Sequence, residues 1–145
     1  DGGGVDTLAP HDGSFAAYFG GANSSITQTL ATVAGSNYKL SFWLQLEADP
    51  TGAAAPNAFS LAIGSATALS LNDASAFGYA LYEVTFLAGG ASTDLSFNFS
   101  QGPAFWDLDS VSVTLPEPGS MALLAAAGVV AWTAGRRRRQ ADNSA

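Results

Sequence analysis

The chain has 145 residues, 48% of them apolar and only 12% charged, against roughly 25% charged in an average soluble protein, and its net charge is −7. It has no cysteine and one histidine, His11, which excludes disulfide frameworks, thiolate zinc sites, cysteine nucleophiles and any multi-histidine centre built by this chain alone. Four of the five bases form one run, Arg136–Arg139, so the body sets Lys39 alone against nearly all the acids and cannot neutralise a phosphate backbone; nucleic acid is not its partner.

The chain opens at Asp1 with no initiator Met, basic n-region or apolar h-region, which reads as a loss of N-terminal sequence. Short strands are expected at Phe15–Phe19 and Ser25–Val33. The clearest strand is Asn37–Glu47, where Tyr38, Leu40, Phe42, Leu44 and Leu46 alternate with Lys39, Ser41, Trp43, Gln45 and Glu47 at the period of a half-buried strand. The segment Ala48–Pro56 reads as a loop at one end of the domain. Phe59, Leu61 and Ile63 resume the alternation, followed by a weaker strand at Thr67–Leu71. Stronger ones follow around Tyr82, Val84 and Phe86, around Leu95, Phe97 and Phe99, and around Val111, Val113 and Leu115. Breakers such as Gly20-Gly21, Asn72-Asp73 and Gly89-Gly90 separate the runs. Strands at this spacing, with no amphipathic helix among them, predict an all-β sandwich over residues 1–115.

The composition then changes. Leu115-Pro116-Glu117-Pro118-Gly119-Ser120 cannot continue a ladder, because its prolines remove donors and fix φ. We expect a linker at 116–120, one hydrophobic helix at 121–135, and a basic tail at 136–145. As a helix, Ser120–Gly135 would be about 24 Å long at 1.5 Å per residue. That is short of a bilayer core of roughly 30 Å, a gap that arginine snorkelling and local thinning can close. Arg136–Arg139 would stay cytoplasmic and leave the sandwich outside. The plainer alternative is a helix docked on the sandwich and ending in a solvated basic run.

The order of Pro116, Glu117 and Pro118, the apolar span Met121–Gly135 and the arginine cluster resembles the PEP-CTERM sorting signal of exported proteins in Gram-negative, exopolysaccharide-producing bacteria. The resemblance implies an exosortase as partner, a transient stay in the inner membrane through the helix, and then a cell-surface or extracellular destination. Pro116, Glu117 and Pro118 would be substrate rather than catalyst, and Arg136, Arg137, Arg138 and Arg139 the membrane stop.

Several stretches of the body resemble the galactose-binding-like jelly roll of carbohydrate-binding modules: His11-Asp12-Gly13-Ser14-Phe15-Ala16, Ile26–Leu30 with Tyr38–Leu44, and Phe105–Val113 as closing strand. The resemblance implies a missing first strand upstream of Asp1. It also implies a structural Ca²⁺ held by Asp109 with carbonyls near His11–Gly13. The other reading is that Asp107 and Asp109 only cap loops at a sandwich edge. Strict alternation puts both acids on the face of Val111, so a bulge near Leu108 is required if that face is core.

Sugar faces stack on aromatic rings, which makes Trp43, Tyr79 and Trp106 the candidate ligand residues; the alternative for Trp43 is a core or loop-covered ring. No G-x-S-x-G surrounds any serine, and the paired glycines lack phosphate-loop spacing, so the chain is not read as an enzyme. Exopolysaccharide is the expected ligand, and a purely structural surface protein without a discrete ligand is the alternative.

Overall fold

The computed structural model describes residues 2–8, 10–50 and 56–115, all of which fall in one compact unit. The strands are β1 (Gly2–Asp6), β2 (Ala16–Ala31), β3 (Asn37–Leu46), β4 (Ala58–Ile63), β5 (Ala66–Asn72), β6 (Phe77–Leu87) and β7 (Ser92–Thr114), all paired antiparallel. Two of them are long because each serves two layers. The first part of β7 pairs with β4 through Leu95–Ser100, and its last part pairs with β3 through Trp106–Thr114. β2 accompanies both halves. One layer is therefore β1, β2, β7, β3 and β6, and the other is β2, β7, β4 and β5.

The layers face each other across an aromatic core. Phe42 on β3 meets Phe97 on β7 edge-on at 5.2 Å and Phe59 on β4 at 6.0 Å, and Leu40, Leu44, Leu61 and Trp106 are fully buried beside them. Alternation supplies this directly: every second residue of β3, from Tyr38 to Leu46, is buried, and those between remain partly or wholly exposed. The fold is the all-β sandwich that the sequence pattern predicts.

Two details depart from strict alternation. Gly20-Gly21 does not separate two strands but lies inside β2, where the register with β7 slips between Phe19 and Ser24. A Cβ on Gly20 would stand 2.5 Å from the Phe105 ring, so a side chain here would force that ring to move. The bulge expected near Leu108 is present on β7, at Ser110. From Ser41 to Trp43 is two steps on β3, whereas the partners Ser112 and Asp109 are three apart, and Ser110 has a left-handed φ of 51°. That extra residue turns both Leu108 and Val113 toward the core while Asp107 and Asp109 point outward from the five-stranded layer. Val111, at the bulge, is half exposed.

Candidate functional site

The outer face of the five-stranded layer is built around Asp109. Its Oδ2 accepts hydrogen bonds from the backbone N–H of His11 at 2.8 Å and of Asp12 at 3.2 Å, which ties the turn between β1 and β2 down onto β7. Asp12 Oδ1 accepts the Gly13 N–H at 2.7 Å, and Gly13 takes a left-handed φ of 69° that a side chain would oppose. In the β3–β7 register Asp109 lies opposite Trp43, so the pinned turn sets the His11 imidazole on the indole. The rings are 3.8 Å apart and 18° from parallel. Tyr79 on β6 meets the same imidazole edge-on at 5.3 Å.

One step along the face, Asp107 lies between Tyr18 on β2 and Gln45 on β3. Gln45 Nε2 donates to Asp107 Oδ2 at 3.0 Å, and the acid is only 4% exposed. Burial, then the negative charges of Glu47 and Asp6, push the Asp107 carboxyl from the ordinary 3.8 up to about 6, although the Gln45 hydrogen bond pulls the other way. The Tyr79 phenol is pushed well above its ordinary value by burial, then by the charges of Asp107, Asp109, Asp6 and Glu47. Asp109 moves in the opposite direction. Desolvation acts to raise it, but the amides of Asp12, His11 and Ser110 outweigh that and hold it low. Tyr18 and Phe105 form a second aromatic pair, edge-on at 5.5 Å, on the far side of Asp107. A shallow groove of about 380 Å³ opens beside the face, lined by Gln45, Glu47, Phe77 and Gly78 among others.

Of the three rings expected to bind ligand, the structure brings Trp43 and Tyr79 together, both half-buried. Trp106 is a correction. It is wholly buried, packs against Phe59 at 5.7 Å and Phe77 at 6.0 Å, and donates its indole N–H to the Ser100 carbonyl at 3.3 Å, so it belongs to the core. The Ser110 bulge reverses the inside-outside parity of the segment from Trp106 to Asp109, which is why Trp106 points inward. The arrangement at Asp109 does not fit a Ca²⁺ ion. Oδ2 meets two amide hydrogens and Oδ1 accepts the N–H and hydroxyl of Ser110, where a cation would need oxygen lone pairs converging from several groups. Among the described residues no three His, Cys, Asp or Glu side chains group to hold a metal. The sequence reading missed the roles of Gln45, Tyr18 and Phe105. Gln45 had a signal, since it alternates onto the same face as Trp43. Pro116, Glu117, Pro118, the 121–135 segment and Arg136–Arg139 lie outside the described residues.

Comparison with known proteins separates the tail from the body. Residues 114–139 match the PEP-CTERM protein-sorting motif, which marks the chain as an exported protein that passes the membrane to the cell surface or beyond. No curated protein matches the chain in sequence. Among solved structures, TmCBM61 in complex with β-1,4-galactotriose superposes with a TM-score of 0.60 at 13% identity, covering 79% of this chain and 82% of that one. The CBM22-1 xylan-binding domain of Xyn10C from Paenibacillus barcinonensis gives 0.52 at 14%, covering 81% and 82%. The Stig cyclase Fisc from Fischerella sp. TAU gives 0.53 at 15%, covering 77% and 73%. At these identities the likeness is one of fold: the body is a carbohydrate-binding-module-like jelly roll, an architecture on which the first two bind sugars and the third is a cyclase.

Proposed function

We propose that this exported protein is a binding module for neutral extracellular polysaccharide, released to the outside by an exosortase that cuts near the Pro116-Glu117-Pro118 motif. The observation that carries the binding reading is the juxtaposition, on one half-buried sheet face, of the His11–Trp43–Tyr79 ring cluster with the Asp107–Gln45 pair. Pyranose rings present apolar C–H faces and a rim of hydroxyls. Aromatic rings receive the faces, and a carboxylate beside a carboxamide receives the rim with acceptors and donors together. The ring a sugar meets first is His11, which is exposed and stacked on Trp43.

Charge selects the class of sugar. Asp6, Glu47, Asp107 and Asp109 all act on Tyr79, so the face repels uronates and phosphates and favours uncharged hydroxyl donors. Binding rather than catalysis is supported by the use to which the acids are put. The Asp109 oxygens are engaged by the amides of His11, Asp12 and Ser110 and Asp107 is tied to Gln45, so both acids serve to hold the face together.

For the tail, four arginines that resist crossing, a short apolar segment and a proline-stiffened motif would pause the chain at the inner membrane with the sandwich outward. Mass spectrometry of the mature extracellular protein is expected to find a C-terminus near the motif; an intact end at Ala145 contradicts the sorting reading. The second reading is a structural surface protein without a ligand. It is favoured by the burial of Trp106 and by the covering of Trp43, which leave fewer open rings than a wide sugar platform would have. Retention of the full chain on immobilised neutral polysaccharide, lost on Trp43→Ala with Tyr79→Ala, separates the two; no retention favours the structural role.

A further inference from the structure

The end of β7 has a neighbour on one side only. β3 pairs with it through Leu40 to Val113 and Lys39 to Thr114, whereas β2 reaches no further along β7 than Leu108, and among the described residues nothing takes its place. The two layers are therefore open to solvent along this side. Between them lies a cleft of about 520 Å³ whose lining includes Ile26, Leu30, Leu108, Val111 and Val113. Counted from Val113, which packs on the core, alternation turns Val111 and Leu115 toward the cleft and Ser112 and Thr114 toward the outer face. Ile26, Val111 and Leu115 are each left about half exposed.

An open edge presents a row of backbone N–H and C=O groups, and natural edges are guarded by charge, proline or a bulge. β6, at the other edge of the same layer, carries Glu83 in an ion pair with Lys39. Val111–Leu115 carries no charge and no proline. The Ser110 bulge, with the His11–Asp12 turn bonded to Asp109, closes the edge at one end, and Pro116, which has no N–H to give, ends it at the other. Five residues remain, about 17 Å at 3.4 Å per residue. We infer that this edge is where two copies of the chain pair, antiparallel and centred on Val113.

Whatever covers a strand edge has to supply backbone partners, which an acyl chain or a small apolar molecule does not have. To fill the cleft as well, it must bring apolar side chains at every second position. The edge is its own match. Pairing about Val113 sets Val113 against Val113 and Val111 against Leu115 over the cleft, with Ser112 against Thr114 on the outer face, all of them favourable cross-strand pairs. Charge points the same way. The body sets nearly all the acids against the single base Lys39, so two copies repel over much of their surface and meet best where neither brings a charge. A contact of this isologous kind closes as a dimer and does not propagate. Its two-fold axis crosses the joined sheet, so both copies keep their Trp43 faces on one side, where a single polysaccharide would be held twice. That consequence rests on the polysaccharide reading; the pairing itself does not.

So short an edge makes a small, rapidly exchanging contact, and the test is one that traps it. The chain has no cysteine and hence no background. In detergent micelles, full chain carrying Ser112→Cys is mixed with full chain carrying Thr114→Cys under mild oxidation, since residues directly opposite in paired strands lie within reach of a disulfide. A mixture of Ala66→Cys and Ala68→Cys chains, on the open edge of β5, measures collisions and any association through the rest of the chain. We expect the β7 mixture to form disulfide dimers roughly tenfold faster, or more, than the β5 mixture and than either β7 variant alone. Val111→Lys in both chains should remove that advantage. If Val111→Lys lowers the melting temperature, Leu115→Lys at the exposed end of the edge replaces it. Equal rates for the two mixtures, or a rate that the lysine leaves unchanged, overturn the inference, and so does a chain that forms no dimer, whether its edge stays open or takes a strand from another protein. Dimers formed as fast by Ser112→Cys alone overturn the register about Val113. No sugar enters the assay, so its outcome is separate from that of the ligand reading.

Discussion

Replacing Asp107 by Asn should stabilise the protein at neutral pH, and the size of the effect follows from the surroundings of the carboxyl. Burial and the charges of Glu47 and Asp6 raise it from 3.8 to about 6, so between those values the folded state holds a proton that the unfolded chain has released. The folded state binds more protons in that window, and stability therefore falls as pH rises through it. A shift of about two units corresponds to about 3 kcal/mol, an upper figure since water and side-chain adjustment relieve part of it. The substituted carboxamide would keep an oxygen for Gln45 and carry no charge. For a domain of this size, 1 kcal/mol moves the melting temperature by about 4 °C, so the variant should melt up to about 12 °C higher at pH 7 and match the unaltered protein near pH 4. Thermal unfolding followed by circular dichroism from pH 4 to 8 measures both. A variant that melts lower at pH 7, or keeps the decline between pH 4 and 6, refutes the argument that a buried, crowded charge sits at this position.

Two further outcomes follow from the same geometry. Trp106→Ala empties a core position between Phe59 and Phe77 and should cost about 3–5 kcal/mol in urea unfolding, whereas Trp43→Ala, on the half-exposed face, should cost about 1–2 kcal/mol; equal losses would place both rings in the core. Asp109→Ala should free the His11 turn at a cost of about 1–2 kcal/mol, with a melting temperature that neither added Ca²⁺ nor EDTA changes. Because amides hold the Asp109 carboxyl low, its contribution is present above the ordinary carboxylate value and is lost as pH falls through its depressed one, so the variant's penalty should shrink in strong acid; a Ca²⁺-dependent melt would show oxygen ligands where the amides now stand.

How much of this was legible in the chain depends on whether the signal was local. The period-two pattern of Tyr38–Leu46 gave a strand, its buried side and the polar side bearing Trp43, and the structure keeps all three. The same rule applied to the last strand fails at one residue. Ser110 adopts a left-handed φ, the register gains a step, and the parity of the segment from Trp106 to Asp109 reverses, which sends Trp106 inward. The need for such a bulge could be seen from the clash between Asp107, Asp109 and Val111; the residue that carries it could not, since serine marks no bulge. Gly20-Gly21 misled in another way, because glycine that ends a strand and glycine that lets a strand bend between layers look alike in sequence. The stacking of His11 on Trp43 had no local signal at all. It depends on Asp109, 98 residues away from His11, capping the turn that carries the imidazole.

The most direct measurement on the central claim is a calorimetric titration of the full chain with a neutral oligosaccharide, such as β-1,4-galactotriose or a xylotriose, set beside an oligouronate of equal length. The account predicts saturable binding of a neutral sugar, at least tenfold weaker binding of the uronate, and loss of the neutral-sugar signal at the sheet face when Trp43 and Tyr79 are both replaced by Ala. Equal heats for the charged and uncharged sugars, or neutral-sugar binding untouched by Trp43→Ala with Tyr79→Ala, would contradict it.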